Sequence, residues 1–191
     1  MKNAGYKVIR SGRKTIGLRV EADGSVPVRA PYLCPASSID KFVRDSAGWI
    51  EKQREKASSL GSAAASEGAL SAEEIKKLSS GMKSLLPEKL ERYSGLLGVN
   101  YGRVTVRCQK SKWGSCSAEG NLNFNCLLML APEGVLDYVI VHELCHRRHM
   151  DHSKAFWAEV ERAVPDYKEK RRWLRENGGT LLMRARLGKE E

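Results

Sequence analysis

The chain has 191 residues, 41% of them hydrophobic and 29% charged, with a formal net charge of +10. That is chain enough for one domain or two small ones with a real core, and no apolar run reaches the length a transmembrane helix needs. Its five cysteines include no CxxC pair and MKNAGYKVIRSGRK has no apolar signal core, so a disulfide framework and a secretory leader are not expected and a cytoplasmic protein with reduced thiols is.

The positive charge is spread widely. The first twenty residues carry six Lys/Arg and no acid, and residues 94–118 carry Arg103, Arg107, Lys110 and Lys112, again without an acid. A solvated basic surface accounts for this. A functional reading would be an anionic partner such as nucleic acid, a nucleotide or an acidic peptide.

In YKVIRS and TIGLRVEADGSVPVRAP, Val8, Ile16, Leu18, Val20, Val26 and Val28 recur at period two, and Asp23-Gly24 supplies a turn. Two or three short strands are predicted. Residues 35–56 read as one helix, capped by Ser37 or Ser38, with Ile39, Phe42, Val43, Trp49 and Ile50 on one side. ASSLGSAAASEG follows and reads as a linker, so the chain divides into an N-terminal β lobe plus helix (1–56), an Ala/Ser/Gly-rich link (57–71) and a main domain (72–191). Ser71 and Glu74 are spaced as a capping box. Ile75, Leu78, Met82 and Leu85 recur at helical spacing behind it, and a second helix is expected over 88–97, stopped by Gly98. Strand signals return in RVTVRCQ (103–109) and NLNFNCLLML (121–130). Pro132 then opens a helix whose apolar face holds Val135, Leu136, Val139 and Ile140.

That helix runs into HELCHRRHMDH, residues 142–152, which contains all four histidines of the chain. HELCH is an HExxH sequence. On a helix His142 and His146 share a face about 6 Å apart along the axis, a spacing that lets two imidazoles converge on one Zn²⁺. Glu143 points about a quarter turn away and suits the role of general base toward a metal-activated water. HExxH also occurs by chance, on exposed amphipathic turns. Here the apolar lead-in VLDYVIV places it on a buried element.

A catalytic zinc wants three protein ligands and an open position. His149 on a straight continuing helix would approach along the same row as the first two ligands. His152 lies after a Met150-Asp151 turn, before a helix capped by Asp151 or Ser153 and stopped at Pro165, and can swing back. A downstream acid such as Glu159 is the remaining choice. Spacing favours His152 and matches the metzincin pattern in its three histidines, with His149 where that pattern has glycine. Cys116 and Cys145 read as small packed thiols. Phe156, Trp157 and Val160 read as core. Lys168, Lys170, Arg171, Arg172 and Arg175, with Trp173, either line a binding rim or form a solvated helix face.

SKWGSCS (111–117), NLNFN, LDYVIVHELCH (136–146), HSKAFW (152–157) and PDYKEKRRWL (165–174) together resemble the YgjP-like family of zincin-fold, zinc-dependent hydrolases. They are more distantly similar to the SprT-like and WLM proteases. The resemblance implies His142, His146 and His152 as ligands and Glu143 as general base. In such a fold SKWGSCS is expected at the sheet edge over the cleft, where its backbone could pair with an extended peptide.

The expectation is therefore an α+β, zincin-like metallopeptidase domain with a small N-terminal β lobe and helix. It would be a Zn²⁺-dependent hydrolase, first a metallopeptidase and alternatively a phosphohydrolase acting on a nucleotide or similar anion. Its partners would be a peptide or an anionic small molecule, with no membrane, and with nucleic acid an open choice that no motif supports. A third reading, a nucleic-acid module with structural zinc, is disfavoured by the intact Glu143 and by a ligand set without the usual cysteines.

Overall fold

The computed structural model describes residues 6–21 and 23–188, which form two compact units, 1–66 and 67–191.

In the first unit, β1 (Lys7–Ser11), β2 (Gly17–Leu18) and β3 (Pro27–Pro31) make one sheet in the order β1-β3-β2. β1 runs parallel to β3 and β2 antiparallel to it. The turn before β3 uses Gly24 at φ 76°, a left-handed conformation that suits glycine. Val26, Val28, Ala30, Ile39 and Ile50 bury together as the core of this unit. The single helix expected over 35–56 is two. α1 (Ala36–Asp45) and α2 (Ala47–Glu67) break at Ser46, whose N–H donates to the carbonyls of Phe42 and Val43. Neither Ser37 nor Ser38 caps α1. Pro35 stands at the N-cap, with its φ of −59° set by the ring. Trp49 is half-exposed rather than buried in the stripe.

The expected link is mostly helix. α2 continues through residues 57–67, because Ala is the strongest helix former and the segment is rich in it. Only residues 68–71 are non-helical, starting at Gly68 with φ 84°.

In the second unit the capping box is present: Ser71 N–H donates to Glu74 Oε2 (2.8 Å) and Glu74 N–H to Ser71 Oγ (3.2 Å). It starts α3 (Ala72–Leu97), one helix where two were expected. Pro87 lies inside α3 and removes a backbone donor. The helix persists because Met82, Leu86, Leu90, Tyr93 and Leu97 bury one continuous face in the main core. Gly98, at φ 62°, ends it.

β4 (Val104–Arg107), β5 (Gly114–Cys116) and β6 (Leu122–Asn125) form the second sheet in the order β4-β6-β5, with β4 parallel and β5 antiparallel to β6. The strand expected over 121–130 stops at Asn125, whose Oδ1 accepts from Leu127 N–H (3.2 Å) and starts a 3-10 turn over Cys126–Leu130. Local side-chain capping overrides strand continuation there. α4 (Val135–Cys145) follows, then α5 (Lys154–Ala163) and α6 (Tyr167–Leu187). α4 is the central helix of this unit. Nine of its eleven residues are buried, and α3, α5, α6 and β5 pack around it.

Candidate metal centre

α4 ends at the motif. His142 lies in its last turn and His146 is its C-cap, with φ −64° and ψ −12°. The chain then turns: Arg147 N–H donates to Leu144 O, and Arg148 and His149 N–H to Cys145 O. Asp151 Oδ1 accepts from Ser153 N–H (3.3 Å), and Ser153 Oγ accepts from Phe156 N–H (3.4 Å), which makes Ser153 the N-cap of α5. This reversal returns His152 to the end of α4.

The result is a histidine triad. His142 Nε2 and His152 Nε2 are 3.1 Å apart, and the ligand-type nitrogens of His142, His146 and His152 lie within 4.8 Å of one another. Two imidazole nitrogens on one tetrahedral zinc, each at about 2.0–2.1 Å, would stand about 3.3 Å apart, so the pair already has nearly that separation. His146 Nδ1 is 2.9 Å from the His149 carbonyl. The carbonyl can only accept, so Nδ1 carries the proton and the Nε2 lone pair of His146 is left available. His142 Nδ1 is buried without a hydrogen-bond partner. Burial first, and then His146, His152 and Arg171 nearby, push the His142 pKa down to about 3. Burial, His146 and Arg171 lower that of His152. Neutral imidazoles are the form that donates to a metal.

Phe156, wholly buried, is the floor of this triad. Its ring centre lies 4.9 Å from that of His142 and 4.8 Å from those of His146 and His152, and the histidine centres are themselves 4.9–5.0 Å apart. The four ring centres therefore make a near-regular tetrahedron, with Phe156 in contact with each of the three histidines. Trp157 stacks on His152 at 5.7 Å, Tyr167 on Trp157 at 5.3 Å, and Tyr138 meets His142 edge-on at 5.8 Å.

The other two ligand choices, His149 and Glu159, lie next to each other. His149 Nε2 lies 3.4 Å from Glu159 Oε2, and Arg148 Nη1 lies 2.5 Å from Glu159 Oε1. The His149 ring is not among the three that converge, while its backbone carbonyl accepts from His146 Nδ1.

Glu143 is buried beside the triad on α4. β5 runs against it so closely that a Cβ at Gly114 would stand 2.6 Å from Glu143 Oε1. A side chain at 114 would displace Glu143 from this position. Burial raises the Glu143 carboxyl to about 8, and Lys112 pulls it back. The segment before β5 is tied down by Asn125, whose Nδ2 donates to the carbonyls of Gln109 (3.1 Å) and Lys112 (2.9 Å). Sequence reasoning missed Gly114 and Asn125. A glycine directly after a tryptophan, and a strand asparagine followed by an apolar run, were the available signals. Cys145 is buried with its thiol pushed up to about 12, mainly by burial, and burial also raises Cys116. Both match small packed thiols rather than nucleophiles.

An α+β domain with a histidine triad and an adjacent buried carboxylate has the makings of a single-metal hydrolase. The family comparison agrees: a model described as "YgjP-like, metallopeptidase domain" matches residues 14–81 and 66–177, and the chain belongs to the YgjP-like family. It is thereby a hydrolase of the metallopeptidase class, and the phosphohydrolase alternative is not favoured. Among solved structures, the chain is similar to the metallopeptidase zymogen abylysin of Pyrococcus abyssi (26% identity, 48% of this chain and 93% of that one, TM-score 0.43). It is also similar to the metallopeptidase zymogen jannalysin of Methanocaldococcus jannaschii (20% identity, 48% and 94%, TM-score 0.42). No curated protein matches the chain. No described helix is long and apolar enough to cross a membrane.

Proposed function

We propose that this chain is a zinc-dependent peptidase in which His142, His146 and His152 hold the ion and Glu143 is the general base. The observation that supports it most is the convergence of three histidine nitrogens within 4.8 Å beside a buried glutamate. The donor set fits zinc, three imidazole nitrogens leaving one position open. When bound, zinc would acidify a water molecule and polarise the scissile carbonyl.

The remaining chemistry belongs to the chain. Glu143 accepts the proton of the attacking water and passes it to the leaving nitrogen. Phe156 and the His146–His149 hydrogen bond keep the imidazoles oriented. β5, an edge strand against Glu143, offers its outer backbone to an extended peptide, which would pair by strand addition. The catalytic part is assigned to residues 67–191, with the N-terminal sheet and α1 as an accessory unit. The five free thiols favour a reducing compartment, the cytoplasm.

The test is to incubate the purified protein with unstructured peptides and, separately, with nucleoside triphosphates, with and without chelator. Peptide cleavage that stops on chelation and returns with zinc supports the reading. Chelator-sensitive nucleotide hydrolysis with intact peptides contradicts it.

A further inference from the structure

α6 begins with a run of cations, and most of them are matched by acids. Lys168 Nζ lies 3.0 Å from Glu161, Lys170 Nζ 2.9 Å from Asp166 and Arg175 Nη2 3.5 Å from Glu176. Arg171 and Arg172 make no ion pair among the described residues, and of these two only Arg171 lies over an aromatic ring. Its guanidinium carbon is 4.7 Å from the centre of Trp157. Trp157 in turn lies 5.7 Å from His152 and 5.8 Å from His142. Arg171 is thus an exposed cation lying over the Trp157 ring, one ring away from the triad, and among the described residues its guanidinium makes no ion pair. A guanidinium with its planar fork free of acidic partners is suited to bidentate binding of a carboxylate.

We propose that Arg171 is a specificity residue that binds a carboxylate of the substrate beside the scissile bond. This rests on the peptidase reading of the triad and names the substrate class. Preferred peptides carry an acidic group near the cleaved bond, from an Asp or Glu side chain or from a free C-terminus. Trp157 acts as the positioning residue, because the guanidinium lies over its ring face.

The experiment compares kcat/KM of the zinc-loaded, full-length protein on matched peptides: a neutral sequence, the same sequence with Glu near the cleaved bond, and the neutral sequence with free or amidated C-terminus. The wild type should prefer the acidic peptide, or the free C-terminus, by about 10–100-fold, the range of a charge-assisted bidentate pair. Whichever of the two is preferred identifies the source of the carboxylate. Arg171→Gln should erase that ratio through KM, Arg171→Lys should restore part of it, and Arg171→Glu should turn it toward peptides with Lys at the same position. A ratio unchanged in Arg171→Gln, or a wild type without preference, overturns the proposal and leaves the peptidase reading standing. If the zinc-loaded wild type cleaves no peptide at all, the peptidase reading itself fails, and this proposal with it.

Discussion

His149 and His152 sit three residues apart in one turn and have opposite surroundings. His152 Nε2 is 3.1 Å from His142 Nε2, whereas His149 Nε2 is directed to Glu159 at 3.4 Å. What His149 contributes to the site is its backbone carbonyl, and a substitution leaves that in place. The expectation is therefore asymmetric. Loss of an outer-shell partner commonly costs about 10–100-fold in metal affinity, so loss of a ligand should exceed it. His152→Ala should weaken zinc binding by more than about 100-fold and His149→Ala by less than about tenfold, as read by competition with a chromophoric chelator. Comparable losses in the two variants would contradict the assigned roles. Much of this was legible from sequence, because a returning turn follows from Asp151 and Ser153 as capping residues. The Glu159 pairing was not, because it depends on how α5 packs against the end of α4. Gly114 escaped notice for the same reason: its neighbour Glu143 is close only in space.

At the scale of elements, the period and the caps were readable, and the boundaries set by tertiary contact were not. The Ser71–Glu74 box and the Gly98 stop were in the sequence, but the continuation of α3 through Pro87 rests on a buried face that outweighs one lost hydrogen bond. The Ala-rich link is helix by local propensity, which composition alone had read as flexibility. The approach of α6 to the segment before β5 gives a test in which two effects have opposite sign. Gly178 lies inside α6, where alanine would ordinarily be favoured by about 1 kcal/mol. A Cβ there would stand 2.6 Å from Trp113 Cζ2, and overpacking of this kind costs about 1–3 kcal/mol. Gly178→Ala should therefore lower Tm, and a raised Tm would show that Trp113 can yield. Asn125→Ala should also destabilise, by about 1–3 kcal/mol, because it strands the Gln109 and Lys112 carbonyls. Chemical denaturation would measure this directly, and an unchanged midpoint would contradict it.

For the whole molecule, two compact units coexist in a chain whose family match covers residues 14–81 and 66–177. The charge of +10 was read first as a solvated surface, and most cations at the start of α6 do pair with neighbouring acids. Three imidazole nitrogens within 4.8 Å of one another form a site that only the folded chain assembles, so a metal bound there should stabilise the folded state. At free zinc about 100 times its Kd the gain would be about 2.7 kcal/mol. Chelation should lower Tm and zinc should restore it, while a Tm indifferent to both would mean the triad binds nothing. The most direct test of the central claim is to measure zinc content and peptide turnover together in the wild type and Glu143→Gln. In the proposed mechanism Glu143 is a base beside the triad and not a ligand within it. The expected result is one zinc per chain in both proteins, with turnover lost only in the variant. A Glu143→Gln protein that has lost its zinc, or that keeps its zinc and cleaves at the wild-type rate, would contradict it.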